Sequence, residues 1–211
     1  MITLYTWTTP NGRKISVALE EMGLQYEVRP VNIGADEQFQ PAFLAVAPNN
    51  KIPAIVDHDA PGGAVSVFES GAILVYLAEK SGKFLPASGP TRVAVLEWLF
   101  WQVGGIGPML WQLKYFAMRA PEHVRLAVDR FRDEALRLLG VLEKRLVVSR
   151  YLGGEDYSVA DMATYPWVSA ALGLVRRAAG EAMPALPSVD RWVAELAARP
   201  AVHRGMAVPA V

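Results

Sequence analysis

The sequence predicts an α/β domain followed by an all-α domain. Short β-prone runs alternate with helical segments over about the first 80 residues, whereas the later segments with a clear period have helical spacing. Hydrophobic residues make up 52% of the 211-residue chain and charged residues 20%, which excludes an intrinsically disordered protein. A stretch containing Pro and Gly separates the halves, so we place one domain at residues 1–81, a linker at 82–90 and a second domain at 91–211.

Short local patterns define the elements of the first domain. Four runs have the β-branched content or the alternation of strands: residues 2–6, 26–31, 54–57 and 65–68. Helical spacing and capping residues predict three helices: one ended by Gly23, a short one within residues 38–46, and one from Ser70, as its N-cap, to Ser81. The last two strands flank a Pro-Gly-Gly turn and therefore predict an antiparallel pair. The resulting order, β-α-β-α-β-β-α, fits a thioredoxin-like domain.

The second domain reads as a C-terminal helical bundle. Helices are predicted over residues 92–119, 122–149, 158–173, 188–199 and 201–206. The second of these has the clearest pattern, because its apolar residues step by three or four for about seven turns. Ser158 and Asp161 form a capping box, S-x-x-D, which predicts a helix start at this point.

Charge and hydropathy exclude several classes of function. Lys and Arg total 21 and Asp and Glu total 21, so the chain lacks the basic excess of a protein that binds nucleic acid or an anionic membrane. The first 80 residues carry a net charge of −4 and the rest +4, which suits docking within or between chains. The longest uncharged stretch, Trp98–Leu113, is about 16 residues and is broken by three glycines and a proline, so it is short for a bilayer span. With no signal-like opening segment, we expect a cytoplasmic protein.

Cysteine is absent from the chain, which limits the chemistry available to its own side chains. A protein without cysteine has no disulfide, no thiolate metal site and no cysteine nucleophile, so any thiol chemistry requires the thiol of a bound molecule. The three histidines, His58, His123 and His203, are far apart and lack ligand spacing. We therefore expect no metal site.

Thr9 and Asn11 stand in a Thr-Pro-Asn-Gly run at the N-terminus of the first predicted helix. The positive end of a helix dipole favours an anion there and lowers the pKa of a thiol. The two side chains would therefore hydrogen-bond a bound thiolate. The same run also suits a plain turn selected for its backbone geometry, and spacing alone leaves both interpretations open.

Two further motifs suit a ligand that resembles a peptide. Pro53 cannot donate a hydrogen bond to a sheet, so Ile52 before it can keep free backbone groups for an extended ligand, above all if their peptide bond is cis. Glu69 would bind an ammonium, and Ser70 at a helix start would bind a carboxylate. Each motif also has an ordinary structural interpretation, as a trans-proline at an edge strand and as a helix cap.

In chain order, these motifs resemble the cytosolic glutathione transferase family, and most closely its bacterial nu class, which has disulfide-bond oxidoreductase activity. The resemblance is carried by T-P-N-G, F-x-P-x-F-L, P-N-N-K-I-P-A-I-V-D-H, F-E-S-G-A-I-L and L-F-W-Q-V-G-G-I-G-P-M-L. The last run lies in the predicted helical domain, so the resemblance covers nearly the whole chain. It implies a homodimer that uses glutathione as co-substrate, without a metal, and acts on a small-molecule disulfide or electrophile.

The resemblance also implies roles for single residues. Thr9 and Asn11 would hold the glutathione sulfur, and Ile52, before a cis-Pro53, would pair with the cysteinyl unit. The γ-glutamyl end of the tripeptide would be bound by Glu69 and Ser70, and the glycyl end by Lys51 and Gln38. Arg130, in the helical domain, would reach the tripeptide. The sequence departs from classes that use a tyrosine or cysteine after the first strand, because Tyr5 lies inside the predicted strand.

Three functions follow as hypotheses. In the leading one, a glutathione-dependent disulfide-bond oxidoreductase, the bound thiolate attacks a substrate disulfide and a second glutathione resolves the product. The first alternative is a glutathione transferase that conjugates electrophiles or reduces organic peroxides with the same thiolate. The second is a non-enzymatic regulatory protein that binds glutathione.

Overall fold

The computed structural model describes all 211 residues, which divide into two compact units. The first unit contains Met1–Ala87 together with Ala197–Val211, and the second contains Ser88–Leu196. The sequence-based boundary at residue 91 places the C-terminal residues with the helical domain. In the structure they group with the first unit instead, because the last helix packs on the first one.

A four-stranded sheet forms the centre of the first unit. Its strands are β1 (Ile2–Thr6), β2 (Tyr26–Pro30), β3 (Ala54–Asp57) and β4 (Val65–Phe68). The order across the sheet is β2-β1-β3-β4, with β1 parallel to β2 and antiparallel to β3, and β3 antiparallel to β4. The four predicted strands and the predicted antiparallel pair are confirmed.

Three helices connect and follow these strands: α1 (Pro10–Met22), α2 (Pro41–Leu44) and α3 (Ser70–Ser81). Helix α1 ends as predicted at Gly23, whose φ of 70° lies in the left-handed region that favours glycine. The short helix predicted within residues 38–46 is split into a 3₁₀ turn, Glu37–Phe39, and α2. The split occurs at Gln40, because a residue before proline is restricted to extended backbone.

The C-terminal helix α9 (Pro200–Met206) packs directly on α1. The hydroxyl of Ser16 donates to the carbonyl oxygen of Gly205 at 2.6 Å. A Cβ on Gly205 would lie 2.5 Å from the Cα of Val17, so the two helices touch backbone to backbone and only glycine fits. An ion pair between Arg199 and Glu21, at 2.6 Å, adds a contact beside α9.

The second unit is helical. Its helices are α4 (Gly89–Trp101), α5 (Gly107–Met118), α6 (Arg125–Val148), α7 (Val159–Ala179) and α8 (Pro187–Ala197), of which α8 extends one residue past the unit boundary. A π-helical segment, Gln102–Ile106, separates α4 from α5 where the spacing predicts one helix. Helix α7 continues past Gly173 because Leu172 and Val175 on its later turns are buried.

The predicted capping box is present at the start of α7. The Asp161 carboxylate is fully buried and accepts hydrogen bonds from the backbone N–H of Ser158 and from the Nε1 of Trp192, both at 3.0 Å. It also accepts from the backbone N–H of Leu152 at 3.0 Å. Asp161 therefore ties the start of α7 to the preceding loop and to α8.

The continuous helical run Gly89–Met118 exceeds the uncharged stretch noted in the sequence. It is 30 residues long, and by its length and composition alone it could cross a membrane. Core helices of soluble proteins meet the same criterion, so the run is weak evidence for a membrane span.

Candidate functional site

One pocket in the first unit is lined by six of the nine predicted site residues: Asn11, Lys51, Ile52, Pro53, Glu69 and Ser70. Asn49 and Phe68 complete its lining. The residues come from three separate places, namely the start of α1, the loop before β3 and the junction of β4 with α3. The sheet order explains their proximity, because β3 lies between β1, which leads into α1, and β4, which leads into α3.

The start of α1 has the properties of an anion site. Thr9 is the N-cap, and its hydroxyl oxygen accepts a hydrogen bond from the backbone N–H of Gly12 at 3.2 Å. The hydroxyl proton therefore stays available for donation to a ligand. No acidic residue lies in the first turn, so the positive end of the helix dipole is not neutralised there.

Gly12 permits this close junction between β1 and α1. A Cβ at this position would lie 2.5 Å from the carbonyl oxygen of Trp7 and 2.3 Å from the hydroxyl oxygen of Thr6. A larger residue would therefore push the first turn of α1, with Asn11, away from the strand end.

Ile52 presents the backbone groups that the sequence predicts. The Ile52–Pro53 peptide bond is cis, and Pro53 is buried. Ile52 lies just outside β3, and its N–H and C=O make no backbone hydrogen bond within the chain. An extended ligand can therefore pair with Ile52 as an added strand would.

Glu69 occupies the junction between β4 and α3 in an unusual conformation. Its φ of 69° and ψ of 115° lie in a region that residues other than glycine rarely adopt, and such strain is typical of functional sites. Its carboxylate is exposed and accepts a hydrogen bond from the Nδ2 of Asn49 at 3.3 Å. The carboxylate is therefore held at the pocket and is accessible to a cation.

Ser70 differs in detail from the prediction. Glu69 stands at the N-cap of α3, and Ser70 is the first residue of the helix, so the predicted N-cap role of Ser70 is wrong. The side chain of Ser70 instead accepts a hydrogen bond from the Nζ of Lys14 at 3.1 Å. The left-handed φ of Glu69 is the physical reason, because it turns the chain into the helix one residue earlier.

Lys14 lies behind the pocket and is not among the residues that the motifs single out. Its side chain is 2% exposed, and burial lowers the pKa of its ammonium to about 7, although the charge of Glu69 acts in the opposite direction. Its helical spacing from Val17 and Ala18, both fully buried, indicates the inner face of α1. Its contact with Ser70, 56 residues away, has no signal in the local sequence.

Three of the predicted site residues do not line the pocket: Thr9, the N-cap of α1 described above, and Gln38 and Arg130. Gln38 lies in the 3₁₀ turn after β2, where its Nε2 donates to Asp36 at 3.4 Å and its Oε1 is buried without a hydrogen-bond partner. Arg130 is exposed on α6 of the second unit. The ligand contacts expected of Gln38 and Arg130 therefore stay predictions. No group of three or more potential metal ligands occurs in the structure.

Comparison with protein families gives two matches that together span most of the chain. Residues 1–79 match the model of the glutathione S-transferase N-terminal domain, and residues 107–200 match that of the C-terminal domain. Two relatives from Escherichia coli K12 are disulfide-bond oxidoreductases. YfcG is 50% identical to this chain, and the match covers 98% of this chain and 94% of YfcG. YghU is 41% identical, and the match covers 98% of this chain and 74% of YghU.

Solved structures give the same likeness at the level of the fold. A glutathione transferase from Burkholderia graminis, with two glutathione molecules bound per subunit, is 45% identical with a TM-score of 0.92 and covers 99% of this chain and 88% of its own. A glutathione transferase from Pseudomonas putida, with one glutathione disulfide bound per subunit, is 42% identical with a TM-score of 0.92. The match covers 99% of this chain and 91% of the Pseudomonas protein.

Proposed function

The chain belongs to the glutathione S-transferase family, and we propose that it is a glutathione-dependent disulfide-bond oxidoreductase. Relatives that span nearly all of this chain carry the name disulfide-bond oxidoreductase, and related structures hold glutathione or its disulfide. The observation that carries the proposal is the pocket itself. It combines the side chain of Asn11 at the start of α1, unpaired backbone groups at Ile52 and a carboxylate at Glu69, and Thr9 caps the same helix start.

The pocket matches glutathione group by group. The sulfur fits at Thr9 and Asn11, where the hydroxyl, the side-chain amide and the helix dipole all favour a negative charge. The peptide backbone of the cysteinyl unit fits against Ile52. The ammonium of the γ-glutamyl end fits at Glu69, and its carboxylate fits at the start of α3.

Three further predicted contacts complete this assignment. Lys51 lines the pocket and is exposed, which suits a glycyl carboxylate. Gln38 and Arg130 keep the roles that the family resemblance implies: Gln38 binds the glycyl end, and Arg130 reaches the tripeptide. Substitution of each by Ala, followed by measurement of glutathione affinity, tests these assignments separately.

The proposed reaction is a pair of thiol–disulfide exchanges. The bound thiolate attacks one sulfur of a substrate disulfide, so a bond between glutathione and that sulfur forms, the substrate disulfide breaks, and the second substrate sulfur leaves as a thiolate. A second glutathione thiolate then attacks the mixed disulfide and releases the remaining substrate thiol. In total, two glutathione molecules are oxidised to one glutathione disulfide, and the substrate disulfide is reduced to two thiols.

This chemistry does not require a cysteine in the protein. Exchange depends on the thiolate fraction of the attacking sulfur and on its access to the disulfide. The helix dipole at the start of α1 supports the first requirement, and the pocket beside Asn11 supports the second. The protein therefore contributes ionisation and positioning while glutathione supplies the nucleophile.

We also propose a homodimer that acts in the cytoplasm. The dimer rests on the family resemblance, and large apolar side chains exposed on the second unit, among them Phe100 at 67% and Met118 at 61%, are available to a partner subunit. Sedimentation that gives a monomer at micromolar concentration contradicts the dimer. The cytoplasm is the compartment in which glutathione keeps thiols reduced, so it suits a glutathione-dependent reductase.

The function is tested by three parallel assays on the purified protein with glutathione. The substrates are a small dialkyl disulfide, a chlorinated nitroaromatic electrophile and an organic hydroperoxide. We expect turnover of the disulfide to exceed both other activities. Faster conjugation or peroxide reduction would instead identify a transferase or a peroxidase, and glutathione binding without any turnover would identify a regulatory protein.

Asn11→Ala separates catalysis from binding in this mechanism. A hydrogen bond to a charged group contributes about 1.5–3 kcal/mol, so loss of the Asn11 amide should lower kcat for disulfide reduction by about 10- to 100-fold. The affinity for glutathione should fall by less, because the other contacts persist. Asn49→Ala is the matched control, since Asn49 lines the same pocket but bonds to Glu69, and it should weaken glutathione binding more than turnover. Equal losses in kcat and affinity for Asn11→Ala would assign Asn11 to binding alone.

A further inference from the structure

Lys14 is a buried lysine whose ammonium form has no ion-pair partner. Its side chain is 2% exposed, and its Nζ donates one hydrogen bond, to the hydroxyl of Ser70 at 3.1 Å, without forming an ion pair. Burial of an unpaired charge is costly, and buried charges in proteins are normally paired. Such a group therefore suits an anion that arrives with a ligand.

The Lys14–Ser70 contact is directional. Because the Ser70 oxygen accepts from the ammonium, its own O–H proton is directed away from Lys14. Ser70 lines the pocket, so this proton is available to a ligand there. An ammonium also polarises the hydroxyl that it contacts and makes that hydroxyl a stronger donor.

We propose that Lys14 is a positioning residue that acts through the Ser70 hydroxyl to bind the α-carboxylate of the γ-glutamyl unit. The inference rests on the proposed function, since it requires glutathione in this pocket. Lys14 supplies the positive charge for this carboxylate, just as Glu69 supplies the negative charge for the neighbouring ammonium. The amino-acid end of the ligand is thereby recognised by one buried cation and one exposed anion.

The expected effect on affinity follows from the geometry. A carboxylate bonded to Ser70 lies about 5–6 Å from the Lys14 ammonium, given the 3.1 Å contact and an ordinary hydrogen bond of about 2.7 Å. Two unit charges at this separation, with an effective dielectric constant near 20, correspond to about a hundredfold in affinity. Desolvation and solvent screening reduce this value, so we expect a loss between about tenfold and a hundredfold when the charge is removed.

The same contact predicts uptake of a proton on binding. Burial lowers the pKa of Lys14 to about 7 in the free protein, and an arriving carboxylate raises it again. Binding at pH 7.5 therefore protonates Lys14, and the affinity falls as the pH rises above 7.

Glu69 is the charged group that acts on Lys14. The other charged or titratable side chains on α1 and on β1, α3 and α9, which pack against it, are Tyr5, Arg13, Glu20, Glu21, Tyr76, Glu79, Lys80, His203 and Arg204.

The first experiment is a cycle that changes the protein and the ligand independently. Calorimetry measures the affinity of S-methylglutathione, which has no ionisable thiol, and of its analogue in which the γ-glutamyl α-carboxylate is a primary amide. Lys14→Met should weaken binding of the carboxylate ligand by about tenfold to a hundredfold and binding of the amide ligand by less than threefold. Equal losses for the two ligands would overturn the proposal and make Lys14 a purely structural residue. Ser70→Ala should give the same difference between the ligands as Lys14→Met.

The second experiment uses the wild-type protein and therefore does not depend on the folding of a variant. Calorimetry at pH 7.5 in two buffers of different ionisation enthalpy counts the protons taken up when S-methylglutathione binds. We expect net uptake in the wild type and in His203→Gln, which removes the imidazole of α9, the helix packed on α1, and none in a folded Lys14→Met. Absence of uptake in the wild type, or its persistence in Lys14→Met, would overturn the proposal. If the wild type does not bind S-methylglutathione at all, the proposed function itself is wrong.

Discussion

Replacement of Gly205 by Ala should destabilise the protein, because α9 meets α1 at this residue without any intervening side chain. A Cβ on residue 205 would lie 2.5 Å from the Cα and 2.6 Å from the N of Val17, and 2.9 Å from the carbonyl carbon of Ser16. These are backbone atoms in the middle of a helix, so they cannot rotate away. Ordinary contact begins at 3.4 Å, so α9 must move away from α1 by about 1 Å.

The size of the effect follows from two consequences of that movement. Overpacking of a well-packed contact costs about 1–3 kcal/mol. The movement also breaks the buried 2.6 Å hydrogen bond from the Ser16 hydroxyl to the Gly205 carbonyl, at about 1–3 kcal/mol. Because a single displacement partly relieves the first cost while it causes the second, we expect a total of about 2–4 kcal/mol. For a chain of this length the midpoint of thermal unfolding should fall by roughly 4–16 °C.

Thermal unfolding followed by circular dichroism measures this shift directly. Gly140→Ala is the matched control, because Gly140 lies inside α6 and a Cβ there meets no atom within 4 Å. That control should leave the midpoint unchanged or raise it slightly, since Ala is favoured over Gly in a helix by about 0.5–1 kcal/mol. If the Gly205 variant unfolds at the same temperature as the Gly140 variant, the close contact between α9 and α1 is wrong.

Three further predictions concern stability and binding. Asp161→Ala should lower the free energy of unfolding by more than the roughly 0.5–2 kcal/mol of an ordinary cap. It leaves the buried Nε1 of Trp192 and two backbone N–H groups unpaired, and thermal unfolding measures the resulting loss of stability. Glu69→Gly should raise the unfolding midpoint by releasing backbone strain of about 1–3 kcal/mol while it weakens glutathione binding, whereas Glu69→Gln should weaken binding without stabilising. Burial acts to raise the pKa of Asp57, but the hydrogen bond from Lys80 holds it below its ordinary value. Because the pKa of Asp57 is depressed in the folded state, ionised Asp57 stabilises the fold above about pH 4. This stabilisation is lost as the pH falls through the pKa of the folded state. The free energy of unfolding of Asp57→Asn, measured with denaturant, should therefore depend less on pH in this acidic range than that of the wild type.

Local sequence patterns predict the elements of the first unit well, because each pattern acts over a few residues. Alternation and β-branched content identify the strands, and Gly23 marks the end of α1 since its left-handed φ favours glycine. The π-helical segment Gln102–Ile106 escapes this approach. Its sequence has helical spacing, and only the hydrogen-bond pattern of the folded chain distinguishes it from an α-helix.

The candidate site depends on contacts that no local pattern contains. Ile52 and Glu69 are recognisable as motifs, but the sheet order brings them to the same pocket as Asn11. Lys14 and Ser70 are 56 residues apart, and the Ser16–Gly205 contact spans 189 residues. The sequence therefore identifies most residues of the pocket through the family resemblance, whereas the buried cation behind it requires the folded structure.

The contact between α9 and α1 also has a consequence for synthesis of the chain. The first unit is completed by Ala197–Val211, and the whole of Ser88–Leu196 is translated between its two parts. At about 5–20 residues per second, this interval lasts about 5–20 s. During that time the face of α1 that α9 later covers is exposed to other nascent chains and to chaperones. A truncated product that stops at Ala87 keeps this face open permanently, so it should be prone to aggregation and degradation.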